Sequence, residues 1–189
     1  MTALPIIETQ AQDISGYIPT NLISITDGQV YLSPKLFGQG VLPAVDIGRS
    51  VSRVGGSAQL PAYRAVTGDL RLAYAQFEEL ERFSRYGARL EQERERQLER
   101  GRRVREVLKQ TQYAPLTVDR QIAVLAAVVG GAFDALPVGE VTTVAASVAE
   151  DVVLRMPDLF GRLRDGEGLA GEELVDIQRL AERLVGERD

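Results

Sequence analysis

Charge is distributed so unevenly along this chain that one half cannot fold by the rules of the other. Residues 1–60 hold four acids (Glu8, Asp13, Asp27, Asp46) and three bases (Lys35, Arg49, Arg53) of the 27 acidic and 22 basic side chains in the 189-residue sequence. The rest of that stretch carries many β-branched residues with Gly and Pro punctuation, a pattern of short strands and turns. Residues 4–9 (LPIIET), 29–33 (QVYLS) and 44–47 read as strands, with Asp27-Gly28 marking a turn. Three strands this apolar are fewer than a self-sufficient sheet uses, so the segment reads as a piece of something larger.

From Ser57 onward the period becomes helical. Leu70, Leu72, Tyr74, Phe77, Leu80 and Phe83 recur over a charged face, predicting a helix that ends at Gly87. Residues 90–109 (LEQERERQLERGRRVREVLK) predict a second helix, with Leu98, Val104 and Leu108 as a thin apolar stripe and Gly101 as a break. Three more helices are expected over residues 118–132, over 138–156 (ended before Pro157) and over 172–185 (preceded by Gly171). Short connections make these a bundle.

Several classes of function are excluded by composition. With no Cys and no His, there is no disulfide framework, thiolate nucleophile, zinc finger, or Ser-His-Asp or Cys-His set. Residues 122–133 (IAVLAAVVGGAF) are the most apolar stretch, short of the roughly 20 residues a membrane-spanning helix needs. The first residues show neither a signal nor a transit pattern, so a soluble chain, in the cytoplasm or on the cytoplasmic face of a membrane, is expected. Between Glu81 and Gln110 stand ten basic and six acidic side chains. A basic helix can contact RNA, but intermixed signs one turn apart, as in Glu99 with Arg103, describe a solvated or subunit-facing surface. The net charge of −5 and the absence of Trp also argue against an RNA-binding module.

No catalytic set is complete. The sequence has no Gly-x-x-x-x-Gly-Lys-Ser/Thr loop and no metal-ligand cluster, and Asp13, Asp27 and Asp46 lie on separate segments. What remains is residues 48–56 (GRSVSRVGG), where hydroxyls and arginines precede paired glycines that let the backbone turn sharply. Spacing alone leaves two readings open. The guanidinium is aimed at phosphate oxygens, for which its planar fork and permanent charge suit it, or it closes a local salt bridge.

Four ordered stretches resemble the alpha subunits of F-type rotary ATP synthases: residues 3–12 (ALPIIETQAQ), 17–29 (YIPTNLISITDGQ), 43–56 (PAVDIGRSVSRVGG) and 108–115 (LKQTQYAP). The third holds the alpha and beta signature, Pro43-Ala44-Val45-Asp46 followed by Ser50-Val51-Ser52. The wording YLSPKLF, LPAVDIGRSVSRVGG and LPAYRAV looks closer to the alternate, sodium-associated branch than to the mitochondrial one, whereas LISITDGQ with SVSRVGG looks like the F-type alpha wording and unlike that of the vacuolar and flagellar export relatives. The resemblance implies an α+β fragment. Residues 1–65 would be the C-terminal end of a RecA-like α/β nucleotide-binding domain, and residues 66–189 the all-α helical domain of the subunit. It covers the family's C-terminal third. The β-barrel and P-loop are not represented, so the chain alone is expected neither to bind ATP tightly nor to hydrolyse it.

In that family alpha and beta alternate in a ring, beta holds the catalytic nucleotide, and alpha binds a regulatory one while supplying an arginine finger across the interface. Arg53 matches the finger, Ser50 the signature serine needed for activity, and Ser24 the serine of the interface motif. Gln110 and Gln112 match the glutamines that meet the adenine of the non-catalytic nucleotide, and Pro43 belongs with this nucleotide-binding set. Leu42 stands where many members carry Arg, and Arg49 adds a charge beside the signature. The implied cofactor is ATP or ADP with Mg2+, ligated mainly from outside this chain, with no metal ligand assigned here. The implied partners are beta, gamma and delta subunits, with no nucleic acid and with membrane contact only through the complex, on the cytoplasmic face of a bacterial membrane. The implied process is ATP synthesis coupled to proton or sodium transport. The alternative is a truncated, non-catalytic interaction module without nucleotide chemistry.

Overall fold

A computed structural model describes residues 3–84 and 92–188. The chain divides into two compact units, Met1–Ala58 and Gln59–Asp189.

In the first unit the regular strands are β1 (Gly28–Gln29) and β2 (Val51–Ser52), antiparallel, with Gly28 opposite Ser52 and Gln29 opposite Val51. A single bridge joins Leu32 to Val45. Of the strand expected at 29–33, only Gln29 enters the ladder and Leu32 the bridge; of that expected at 44–47, only Val45 pairs; and β2 falls where no strand was expected. Residues 4–9 form no strand, and Leu4 and Ile6 are 86% and 94% exposed. A strand exists only through a partner's N–H and C=O groups, and none stands beside these residues among those described.

In the described part of this unit, four short helices also stand where strands and turns were expected. A 3-10 turn over Gln10–Gln12 leads to α1 (Tyr17–Ile25), then α2 (Pro34–Gly38) and α3 (Gly55–Ala58). Pro19 sits in the first turn of α1, where its missing N–H has no intrahelical partner to lose, and the β-branched Ile18, Thr20, Ile23 and Ile25 are carried along. Pro34 opens α2, and the Ser33 hydroxyl accepts the Leu36 N–H at 3.5 Å.

The second unit is the expected bundle, built from α4 (Pro61–Ser84), α5 (Gln92–Val107), α6 (Val118–Gly130), α7 (Val141–Arg155), α8 (Pro157–Arg164) and α9 (Gly171–Gly186). Helix α6 is central and packs on α4, α7 and α9. Its Ile122, Ala123, Ala126 and Ala127 are buried, and the three alanines let neighbouring helices come close. Gly131 takes φ +86° after α6. The Ala132 N–H then reaches the Ala127 carbonyl at 3.1 Å and the Gly131 N–H the Val128 carbonyl at 3.2 Å, a Schellman close. Asp119, in the first turn of α6, is buried and accepts Arg164 Nη1 at 3.1 Å.

Two expectations need correction. Helix α7 stops before Pro157, as the sequence indicates, but α8 starts at that proline, whose fixed φ suits a first helical position. Gly101 is not a break, because α5 runs through it and buries it. A Cβ at Gly101 would lie 2.1 Å from Phe77 Cδ2, so the glycine is where α5 presses against α4. The helix end expected at Gly87 and the start at Leu90 lie outside the described residues.

Beside Gly101 the contact is sealed by Arg105, which donates to Glu81 Oε1 and Oε2 at 2.8 and 2.9 Å and lies over the Phe77 ring, 4.5 Å from its centroid. Burial alone would lower the Arg105 pKa, but hydrogen bonds to Glu81 and to the Tyr74 hydroxyl hold it above its ordinary value. Arg100, although exposed, and the half-buried Arg103 also reach across, to the Val129 and Leu136 carbonyls at 2.5 and 2.9 Å. Part of the Glu/Arg run therefore fastens helices instead of only meeting solvent. No helix among the described residues is long and apolar enough to cross a membrane.

Gly101→Ala sets two effects against each other. Alanine favours a helix by about 1 kcal/mol over glycine, but overpacking typically costs about 1–3 kcal/mol and here the obstacle is a fully buried ring. A net loss of stability is expected in chemical denaturation, and an unchanged or raised midpoint would contradict so close a contact.

At the start of α9, Glu173 accepts Arg162 Nη2 at 2.5 Å and the Ala170 N–H at 3.0 Å. The Arg162 bond first, and the Ala170 bond second, hold its carboxyl below the usual 4.5. A depressed carboxylate contributes stability that is complete above its unfolded pKa and lost as pH falls through the lower folded value. Amide exchange in the first turn of α9 is therefore expected to accelerate, relative to the rest of α9, as the pH drops below 4.5.

Candidate functional site

The candidate residues of the first unit converge on β2 and its approach. Asp46 begins the turn. Its N–H donates to the Tyr31 carbonyl at 2.9 Å, its Oδ1 accepts the Arg49 N–H at 3.0 Å, and its carbonyl accepts the Ser50 N–H at 3.0 Å. The Ser50 hydroxyl donates to the same carbonyl at 2.6 Å and accepts the buried Tyr31 N–H at 3.0 Å. One small side chain therefore ties the signature turn to the segment that follows β1. Pro43, two residues before Val45, is exposed, and its carbonyl accepts the Val45 N–H at 2.8 Å.

Arg53 leaves the end of β2 with its N–H donating to the Asp27 carbonyl at 2.8 Å. Its exposed guanidinium has one side-chain partner among the described residues, the Ile23 carbonyl in the last turn of α1, 3.4 Å from Nη2. A cation is favoured at a helix C-terminus, and the long contact leaves most of the donor fork uncommitted. Ser24 is the next residue of α1, exposed, with its hydroxyl donating to the Asn21 carbonyl at 2.8 Å. The structure thus brings Arg53 to the turn of α1 that bears Ser24, and binds Ser50 to the other side of the same ladder.

Two residues with no motif of their own emerge here. A Cβ at Gly28 would lie 2.4 Å from the Val51 carbonyl, so only glycine lets β2 approach. Tyr31 receives Arg49 Nη1 on its hydroxyl at 3.1 Å, under a guanidinium 5.0 Å from the ring centroid. Asp27-Gly28 is legible as a turn, but nothing in the spacing of Tyr31 and Arg49, 18 residues apart, indicates a pair.

Gln110 and Gln112 belong to the second unit, on the turn that follows α5. Gln110 Nε2 donates to the Ala114 carbonyl at 3.0 Å, while Gln112 is exposed between Thr111 and Tyr113, whose φ is +62°. The exposed amide of Gln112 offers both donor and acceptor, and Gln110 keeps its carbonyl oxygen, the functions an adenine edge requires. Among the described residues no three Asp or Glu side chains gather to hold a metal ion.

Residues 59–184 match the family model described as ATP synthase alpha/beta chain, C terminal domain, and residues 1–52 match that of the ATP synthase alpha/beta family, nucleotide-binding domain. The chain is 57% identical, over its whole length, to a protein of Syntrophus aciditrophicus named ATP synthase subunit alpha 2. It is 55% identical over 98% of its length to ATP synthase subunit alpha 1 of Rhodopirellula baltica, and 60% identical over 96% to subunit alpha 2 of Polaromonas naphthalenivorans. It spans 37%, 37% and 35% of those relatives, respectively.

Replacing Ser50 with alanine removes both hydroxyl bonds and orphans the Tyr31 N–H, a loss of about 1–3 kcal/mol for a buried donor. The Tyr31 amide is expected to exchange markedly faster in the variant. Unaltered protection at Tyr31 would mean that another group satisfies it.

Proposed function

This chain belongs to the ATP synthase alpha/beta family, and on that premise we propose that it is the C-terminal part of an alpha subunit of a rotary F-type ATP synthase. The first unit completes the nucleotide-binding domain and the second forms the C-terminal helical domain. The subunit alternates with beta subunits in a ring at the membrane surface, meets gamma and delta, and takes part in ATP synthesis coupled to ion transport. Relatives named as alpha subunits over nearly the whole of this chain support that assignment.

The observation that carries the chemical part of the proposal is the state of Arg53. It is exposed, anchored through its backbone to β1's turn, and has most of its guanidinium donors free for an anion. Charge builds on the transferring phosphoryl group, and a rigid planar cation meets its oxygens without reorganising. Arg53 is therefore the finger toward the nucleotide on beta, Ser50 holds the strand that carries it, and Ser24 lies on the helix turn against which it rests. Gln110 and Gln112 offer their amides to the adenine of a non-catalytic ATP or ADP. Mg2+ accompanies the nucleotide, neutralises phosphate charge and takes its protein ligands elsewhere in the complex.

Arg53→Lys keeps the charge and discards the fork. In the assembled complex, ATP turnover is expected to fall by about 10³ or more, the scale of arginine fingers in other phosphoryl-transfer enzymes. Turnover at the wild-type rate would remove Arg53 from the chemistry and favour the interaction-module reading.

A further inference from the structure

We propose that Arg49 is a positioning residue for the phosphoryl-transfer reaction, clamping Tyr31 so that β2 keeps its register on β1 and Arg53 emerges from the correct face. The proposal rests on the reading of Arg53 as the finger.

The ladder that carries Arg53 has two residue pairs, Gly28 with Ser52 and Gln29 with Val51. So short a ladder does little to resist slippage, and because side chains alternate with period two, a slip by one residue turns each to the opposite face. Register therefore depends on contacts beyond the ladder. Arg49 supplies them from both its backbone and its side chain. Its N–H is held by Asp46 Oδ1 at 3.0 Å and its carbonyl by Gln29 Nε2 at 3.3 Å, which immobilises the peptide on either side of its Cα. Its guanidinium then lies over the Tyr31 ring at 5.0 Å, donates to the Tyr31 hydroxyl at 3.1 Å and faces Asp46 Oδ2 at 3.8 Å.

The next residue, Ser50, takes the Tyr31 N–H. Tyr31 is thus gripped at its backbone by residue 50 and at its ring by residue 49, an arrangement compatible with only one register. A solvated arginine would serve charge and solubility without making these contacts. Lysine cannot reproduce them, because an ammonium lacks the plane that stacks on the ring while a fork donates at its edge.

The test uses the complete subunit assembled with its partners. In Arg49→Ala, kcat for ATP hydrolysis is expected to drop about tenfold with KM within about twofold, since misplacement by about 1 Å can cost up to about 10² in rate. Affinity for ADP with fluoroaluminate, a transition-state mimic, should weaken by a similar factor while affinity for ADP alone stays constant. Arg49→Lys should stay below wild type. On an Arg53→Lys background, Arg49→Ala should cost nothing more, because the two act through one group.

Wild-type kcat and mimic affinity in the assembled Arg49→Ala complex, whatever its yield or melting temperature, would overturn the proposal. Should Arg49→Ala prevent assembly, Tyr31→Phe removes only the hydroxyl acceptor. It is expected to lower kcat about threefold, and no change would again overturn the clamp. A severe Arg53→Lys with a normal Arg49→Ala defeats this inference alone, whereas a normal Arg53→Lys defeats the finger reading itself.

Discussion

The Ser50 hydroxyl, donating to the Asp46 carbonyl and accepting the Tyr31 N–H, is the interaction on which the candidate site depends. Outside its short helices and turns, the described part of the first unit has one two-pair ladder and one bridge as its sheet pairing. Where sheet pairing is so sparse, side chains must take up the polar groups that a ladder would otherwise use. Ser50, Asp46 and Gln29 do this, and each bond shortens the list of positions that β2 can occupy. The direction of Arg53 is a result of that list, since its own guanidinium has a single long contact among the described residues.

The second unit solves a different problem with different means. Its helices satisfy their own backbones, so what has to be decided is how close they lie. Gly101 against Phe77, Gly130 against Gln178 and the alanines of α6 set those distances. The charged side chains are recruited afterwards. Arg105 crosses from α5 to Glu81 on α4, Arg100 reaches the last turn of α6, and Arg164 on α8 meets the buried Asp119. At Arg105 a guanidinium fits because its fork saturates the Glu81 carboxylate while its plane rests on the Phe77 ring.

Much of the helical unit was legible from apolar spacing, because helices are local and their period is written into consecutive residues. Leu98 and Val104 are buried as the stripe of α5 requires. Two signals misled. A glycine inside a helix and a proline after one are ordinary stop marks, yet Gly101 serves a contact with another helix and Pro157 begins α8. In the first unit, β-branched residues suggested strands, but whether such residues pair depends on a neighbour distant in sequence. Residues 4–9 form no strand, with 4–8 exposed, and residues 17–25 become a helix.

The sequence by itself determined the family of the chain, the division into a charge-poor and a charge-rich half, and the identity of Arg53, Ser50, Ser24, Gln110 and Gln112 as the residues to inspect. Ordered motifs and helical periods are properties of neighbours in the chain, so they can be read there. Only the tertiary structure decided that Arg49 stacks on Tyr31, that Gly28 admits the Val51 carbonyl, and that Gly101 admits Phe77. These contacts join positions 18 to 24 residues apart through close approach in space, and one residue's identity carries no record of which atom will lie against it.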